Sequence, residues 1–129
     1  MSQVRSHAVS IYPEECCGFL YGKIEGERIE IVLGKPIENQ HVEKRTRRYL
    51  ITPVQFLEAE QFAVESGLEM VGVYHSHPDH PAVPSDYDFQ RAMPNFLYLI
   101  CSVYNKEVTS SRWWKLSEEG RHFTELDVE

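Results

Sequence analysis

Cysteine is scarce in this chain: there are three, Cys16, Cys17 and Cys101, and no C-x-x-C pair among them. An odd count with two adjacent members is not a disulfide framework. The missing spacing also excludes zinc ribbons, thioredoxin-like redox motifs and the Cys-ligated zinc site of the nucleobase deaminases. A reducing cytoplasm is the expected compartment. Long apolar runs are missing too. Residues 1–12 hold Arg5 and His7 but no signal-peptide core, and no later stretch approaches the length of a membrane span. Neither secretion nor membrane insertion is expected. Positive charge is in deficit, with 13 Lys and Arg against 20 Asp and Glu for a formal net charge of −7, so no broad basic surface exists to draw in nucleic acid.

What is present is the make-up of one globular domain, residues 1–129, with 42% hydrophobic and 26% charged residues. A chain of this size buries roughly two-thirds of its unfolded surface, enough to hold a preformed site by packing alone. Val4, Ala8 and Ile11 or Tyr12 fall at helical spacing before Pro13, which predicts a short opening helix with few anchoring residues. Cys17 to Ile24 and Ile29 to Ile37 read as a hairpin turning at Glu25-Gly26-Glu27. The segment from Asn39 to Arg48 is polar and locally basic, and Tyr49-Leu50-Ile51 then reads as a strand.

Thr52-Pro53-Val54-Gln55 carries a cap, a proline at the first helical position and a Gln at the third, predicting a helix from Pro53 to about Ser66 that stops at Gly67. Its inner face would hold Phe56, Ala59, Phe62 and Ala63. Met70 to Tyr74 has the near-continuous apolar character of a strand buried on both faces, and His75 follows directly. A third helix is expected from Ser85 to about Met93, then strands over Phe96 to Val103 and Val108 to Leu116, and a last strand at His122 to Leu126.

The chemistry concentrates in His75-Ser76-His77-Pro78 and Pro84-Ser85-Asp86-Tyr87-Asp88. Strand side chains alternate with period two, so a continuing strand projects His75 and His77 to one side. Asp88, eleven positions beyond His77, would lie in the first turn of the third helix and can fold its carboxylate over the strand end. Two histidines and one aspartate leave a fourth tetrahedral position open, the pattern of a hydrolytic rather than a structural zinc site; iron and manganese accept the same donors. Each half also has a plain structural explanation. An H-x-H pair occurs by chance at strand ends, and Ser at the cap with an acid at the third position suits any helix start. That explanation leaves open why both halves flank one short proline-bounded loop.

These residues resemble the JAMM, or MPN-plus, zinc metalloproteases, whose motif is H-[ST]-H-P, six spacer residues, S-x-x-D and a distant glutamate. His75, Ser76, His77, Pro78, Ser85 and Asp88 match throughout, and Pro13-Glu14-Glu15-Cys16-Cys17-Gly18 matches the glutamate's P-x-E-x-x-G context through Glu15. Likeness to the short bacterial branch extends over Tyr12 to Gly22, Arg48 to Phe56 and Met70 to Asp88. The resemblance implies an α/β fold, a single JAMM/MPN-type domain with a central curved mixed β-sheet flanked by helices. It implies zinc held by His75, His77 and Asp88, with Glu15 as general acid/base and Ser85 donating to the oxyanion. By chemistry alone Glu14 and Glu15 are equal candidates, since neighbours on an extended segment face opposite ways; the motif favours Glu15.

The implied reaction is hydrolysis of a peptide or isopeptide bond at the C-terminal tail of a ubiquitin-like or sulfur-carrier protein. Alternatives are a deconjugating isopeptidase of a bacterial ubiquitin-like or antiphage system, or a non-catalytic MPN scaffold. A DNA-repair-associated branch normally continues Ser-Gly where Asp79-His80 stands here. One departure is the short segment before Pro13, which predicts a loosely held first helix and a less firmly positioned Glu15. Asp79 and His80 are read as a solvated loop at the entrance. His7, His41 and His122 lack ligand spacing, and Cys16 and Cys17 read as small buried hydrophobes rather than nucleophiles. Lys44 to Arg48 form a basic edge that could meet an acidic partner.

Overall fold

The computed structural model describes residues 2–117, 119, 120 and 122–127. Helix α1 (Ser2–Ile11) leads into the hairpin β1 (Cys17–Glu25) and β2 (Arg28–Ile37). Helix α2 (Pro53–Ser66), strand β3 (Glu69–Pro78), helix α3 (Asp86–Arg91) and strands β4 (Leu97–Tyr104), β5 (Glu107–Leu116) and β6 (Phe123–Leu126) follow. The six strands form one sheet in the order β2-β1-β3-β4-β5-β6. Among the described strands one neighbouring pair, β3 and β4, is parallel, which makes the sheet mixed and requires the crossover that carries α3. The expected α/β architecture of a mixed sheet with flanking helices is therefore present.

Alternation along the strands builds two cores. Cys17, Phe19, Tyr21, Val73, Ile100 and Trp114 pack on the α2 side with Ala59 and Ala63, while Leu20, Val71, Tyr74, Leu99 and Cys101 pack on the α1 side with Val4 and Ala8. Val4 and Ala8 are 1% and 0% exposed. The expectation of a loosely held first helix is thus corrected: two small apolar residues a helical turn apart are enough when both sit directly on the sheet. Gly18 of the P-x-E-x-x-G run is needed for close approach, because a Cβ there would collide with the Tyr74 ring and the Lys35 carbonyl.

Helix α2 starts with the anticipated capping box between Thr52 and Gln55 and ends at Gly67, whose φ of 70° is the left-handed stop. Ala59 and Ala63 are buried, and Phe56 and Phe62 pack partly buried beside them. Among the described residues no helix is long and apolar enough to cross a membrane.

Beyond one-residue shifts at element ends, the structure differs from expectation in three places. Tyr49-Leu50-Ile51 is not a strand. Its backbone is committed elsewhere, the Leu50 N–H donating to Asn39 Oδ1 at 3.0 Å, so the apolar run buries Tyr49 without joining the sheet. Helix α3 ends at Arg91 rather than Met93, since Pro94 restricts the residue before it and Ala92 is already extended (ψ 146°). Strand β3 runs on to Pro78, which carries both motif histidines into the sheet.

Candidate metal centre

His75 and His77 are alternate residues near the C-terminal end of β3, so both side chains leave the same face of the sheet, the α2 side occupied by Val73. Their neighbours Tyr74 and Ser76 point the opposite way. The crossover then returns α3 across this strand end. Ser85 caps it by accepting the Asp88 N–H at 3.0 Å, and the Ser85 N–H donates to Asp88 Oδ2 at 3.0 Å. This reciprocal box turns the Asp88 carboxylate inward, where it is 5% exposed.

Three atoms converge. Asp88 Oδ2 lies 2.9 Å from His77 Nε2 and 3.2 Å from His75 Nε2, and the two nitrogens are 3.1 Å apart. His77 Nδ1 stands 2.8 Å from the Pro81 carbonyl, which can only accept, so Nδ1 carries the proton and Nε2 of the neutral ring presents a lone pair. A lone pair held this close to a carboxylate calls for a shared proton or a cation. Ligand atoms at 2.0–2.2 Å from a tetrahedral ion stand about 3.3–3.6 Å apart, close to the spacing here. The nitrogen and oxygen donors, their burial and the oriented imidazole therefore fit a zinc-like ion.

The electrostatics follow from burial and this triangle. Burial pushes His75 toward its neutral form, ahead of the opposing pull of Asp88. Burial acts the same way on His77, but the hydrogen bond and charge of Asp88 prevail and raise its pKa. Asp88 would be raised by burial as well; the two imidazoles outweigh that and hold it well below the usual carboxylate range. The Tyr49 ring stacks on His75 with centroids 4.5 Å apart and an interplanar angle of 26°, fixing the plane of that imidazole.

Glu14 and Glu15 differ in their surroundings: Glu14 sits in the bend after α1, its N–H donating to the Ile11 carbonyl at 3.0 Å. The Glu14 side chain is 43% exposed and pairs with Arg45 at 3.3 Å. Glu15 is 4% exposed, and its Oε1 is buried without a hydrogen-bond partner. Burial, with opposing contributions from nearby His77 and Asp88, raises its pKa to about 8. Glu15, His77 and Ser85 line one cavity of about 350 Å³ with Arg47, His80, Pro81, Val83 and Pro84. Glu15 also borders a second cavity of about 570 Å³ toward α1, lined by His7, Ile11, Asn39 and Arg45 among others.

The structure thus brings together all five residues singled out from the sequence. His80 lines the cavity, while Asp79 accepts a hydrogen bond from the Tyr12 hydroxyl at 2.9 Å. His7 bonds the Tyr74 hydroxyl at 2.8 Å, and His41 Nδ1 accepts the Lys44 N–H at 3.1 Å; both serve structure. Cys16 and Cys17 are buried free thiols whose pKa values burial pushes up, to about 12 for Cys16, which suits the hydrophobe reading. The Ser76 hydroxyl accepts the Cys16 N–H at 2.8 Å, tying the Glu15 segment to the histidine strand. That partnership and the Tyr49 stack span 60 and 26 residues, and no local pattern announces either.

The family model for prokaryotic homologues of the JAB domain matches residues 1–116, and the chain belongs to that family. It is 33% identical over 129 residues to a desampylase of Haloferax volcanii, covering 99% of this chain and 86% of that protein. It is 33% identical over 100 residues to a probable TtuB-protein conjugate cleaving protease of Thermus thermophilus, covering 78% of this chain and 64% of that protein. A solved structure from Salinibacter ruber superposes with a TM-score of 0.77 at 39% identity, over 98% of this chain and 84% of its own.

Proposed function

We propose that this chain is a zinc-dependent hydrolase that cleaves a peptide or isopeptide bond at the C-terminal tail of a ubiquitin-like or sulfur-carrier protein. The observation that carries the reading is the convergence of His75, His77 and Asp88 within 3.2 Å, with Glu15 and Ser85 on the same cavity. The relatives' names, a desampylase and a conjugate-cleaving protease, support the substrate class.

His75, His77 and Asp88 would hold the ion. When bound, it supplies Lewis acidity that brings the pKa of water to around 7 and polarises the scissile carbonyl. The buried Glu15 carboxylate takes the proton from the attacking water and returns it to the departing amine. The Ser85 hydroxyl, whose oxygen already accepts the Asp88 N–H, keeps its own hydrogen free to donate to the oxygen that becomes negative in the transition state. An extended substrate tail suits a site at a strand end, where backbone hydrogen bonds can supply affinity independent of side-chain sequence. Three free buried thiols suit a reducing cytoplasm.

The deciding experiment loads purified protein with zinc, measures metal stoichiometry, and follows by mass spectrometry the cleavage of carrier proteins bearing C-terminal extensions or isopeptide-linked lysines. One zinc per chain is expected, with cleavage after the carrier tail. Glu15→Gln should keep the zinc and abolish turnover. A chain that retains no metal after incubation with excess zinc, or full activity in Glu15→Gln, rejects the reading; metal binding without cleavage favours the scaffold alternative.

A further inference from the structure

A proton shuttle must be held to within about half an ångström of its working position, yet Glu15 lies on no regular element, since α1 ends at Ile11 and β1 begins at Cys17. Its backbone is instead gripped from both sides by the irregular loop after β2. The Glu15 N–H donates to the Arg45 carbonyl at 2.6 Å, and the Glu15 carbonyl accepts from Asn39 Nδ2 at 3.0 Å.

Asn39 does this as one arm of a four-way junction. Nδ2 also donates to the Arg48 carbonyl at 3.0 Å, while Oδ1 accepts the N–H groups of His41 and Leu50, each at 3.0 Å. Both donor hydrogens and both acceptor sites of the amide are used. The reverse orientation would set oxygen against two carbonyls and NH₂ against two N–H groups, so one orientation satisfies the junction. Asp has the shape but lacks the donors, and Gln is one methylene too long. None of the four bonds involves His75, His77 or Asp88.

We propose that Asn39 is the positioning residue for Glu15: its side-chain amide locks the Glu15 peptide to the loop of residues 39–50 and so holds the Glu15 carboxyl in the cavity beside His77 and Ser85. This rests on the reading of Glu15 as the proton shuttle. The acceptor half of the amide ties only the loop, through His41 and Leu50, while the donor half ties Glu15 and the Arg48 carbonyl, so removing the donors spares two of the three loop bonds.

Asn39→Asp removes the donors and keeps the acceptors. In the zinc-loaded chain the expected result is unchanged zinc stoichiometry, KM within about threefold, and kcat lowered by at least about thirtyfold. Hydrogen exchange supplies a readout independent of turnover. The Glu15 amide should lose at least about tenfold in protection in Asn39→Asp while the His41 and Leu50 amides keep theirs; Asn39→Ala should expose all three. Wild-type-like kcat with a protected Glu15 amide overturns the proposal, as does parallel loss of zinc and of all three amides in Asn39→Asp, which would mark a merely structural role. A wild-type chain that cleaves no carrier defeats the proposed function alone, and the exchange pattern then decides the role of Asn39.

Discussion

Ser85 and Asp88 hold each other through a reciprocal pair of 3.0 Å hydrogen bonds, and the same Asp88 oxygen faces both imidazoles. The helix cap and the candidate ligand set are one structure, so substitutions within it should separate by which half they remove. Ser85→Ala should retain zinc, because Oδ2 still accepts the backbone N–H of residue 85. It should lower kcat by about 10²–10³ through loss of the hydroxyl donor and cost about 1 kcal/mol through loss of the cap. Asp88→Ala should lose zinc. Metal analysis and denaturant titration of both variants check the split.

The stack of Tyr49 on His75 gives a second expectation. Tyr49→Phe keeps the ring and should leave zinc affinity and stability near wild type. Tyr49→Ala empties a buried site against the imidazole; it should cost about 3–5 kcal/mol of stability and weaken zinc binding by about tenfold or more. Competition with a chromogenic chelator measures the second effect separately from unfolding.

The pH dependence of the metal-free chain should carry the mark of Glu15. Its folded pKa is raised to about 8, chiefly by burial, against the ordinary glutamate value of 4.5. Between those values the native state holds a proton that the unfolded state has released, so this group makes stability fall as pH rises, most steeply between about pH 5 and 8. Glu15→Gln removes the dependence. With a chelator present, the variant should match wild type near pH 4.5 and exceed it above pH 8 by a few kcal/mol at roughly 1.4 kcal/mol per pKa unit. Urea midpoints at the two pH values read the difference, and equal slopes would reject it.

Glycine substitutions should sort by space and by φ. Gly18→Ala drives a methyl into the Tyr74 ring and the Lys35 carbonyl between paired strands, and should cost more than about 3 kcal/mol or prevent folding. Gly26→Ala meets nothing within 4 Å, but its φ of 61° is left-handed, so a cost of about 1 kcal/mol is expected. Thermal unfolding of the two variants side by side distinguishes them.

Elements whose determinants are local were legible from the chain alone. The capping box and Gly67 bound α2, period-two alternation placed His75 and His77 on one face, and Ser85 with Asp88 declared a helix start. Each relies on contacts between residues a few positions apart, which spacing encodes directly. Tyr49-Leu50-Ile51 failed that reading because apolar character specifies burial but not which partner takes the backbone hydrogen bonds. Here the partner is the Asn39 side chain, eleven residues from Leu50.

Only the fold could choose between Glu14 and Glu15 on physical grounds. Both are carboxylates in the same five-residue run, and what distinguishes them is distant: Ser76 bonds the Cys16 backbone from 60 residues away, and Asn39 bonds the Glu15 carbonyl from 24. Those bonds bury Glu15 and leave the Glu14 side chain partly exposed beside Arg45. Residue type and spacing dictate which groups can do the chemistry. Desolvation, which raises a carboxyl's proton affinity and aims it, is a property of surroundings that the chain acquires only when its far segments meet.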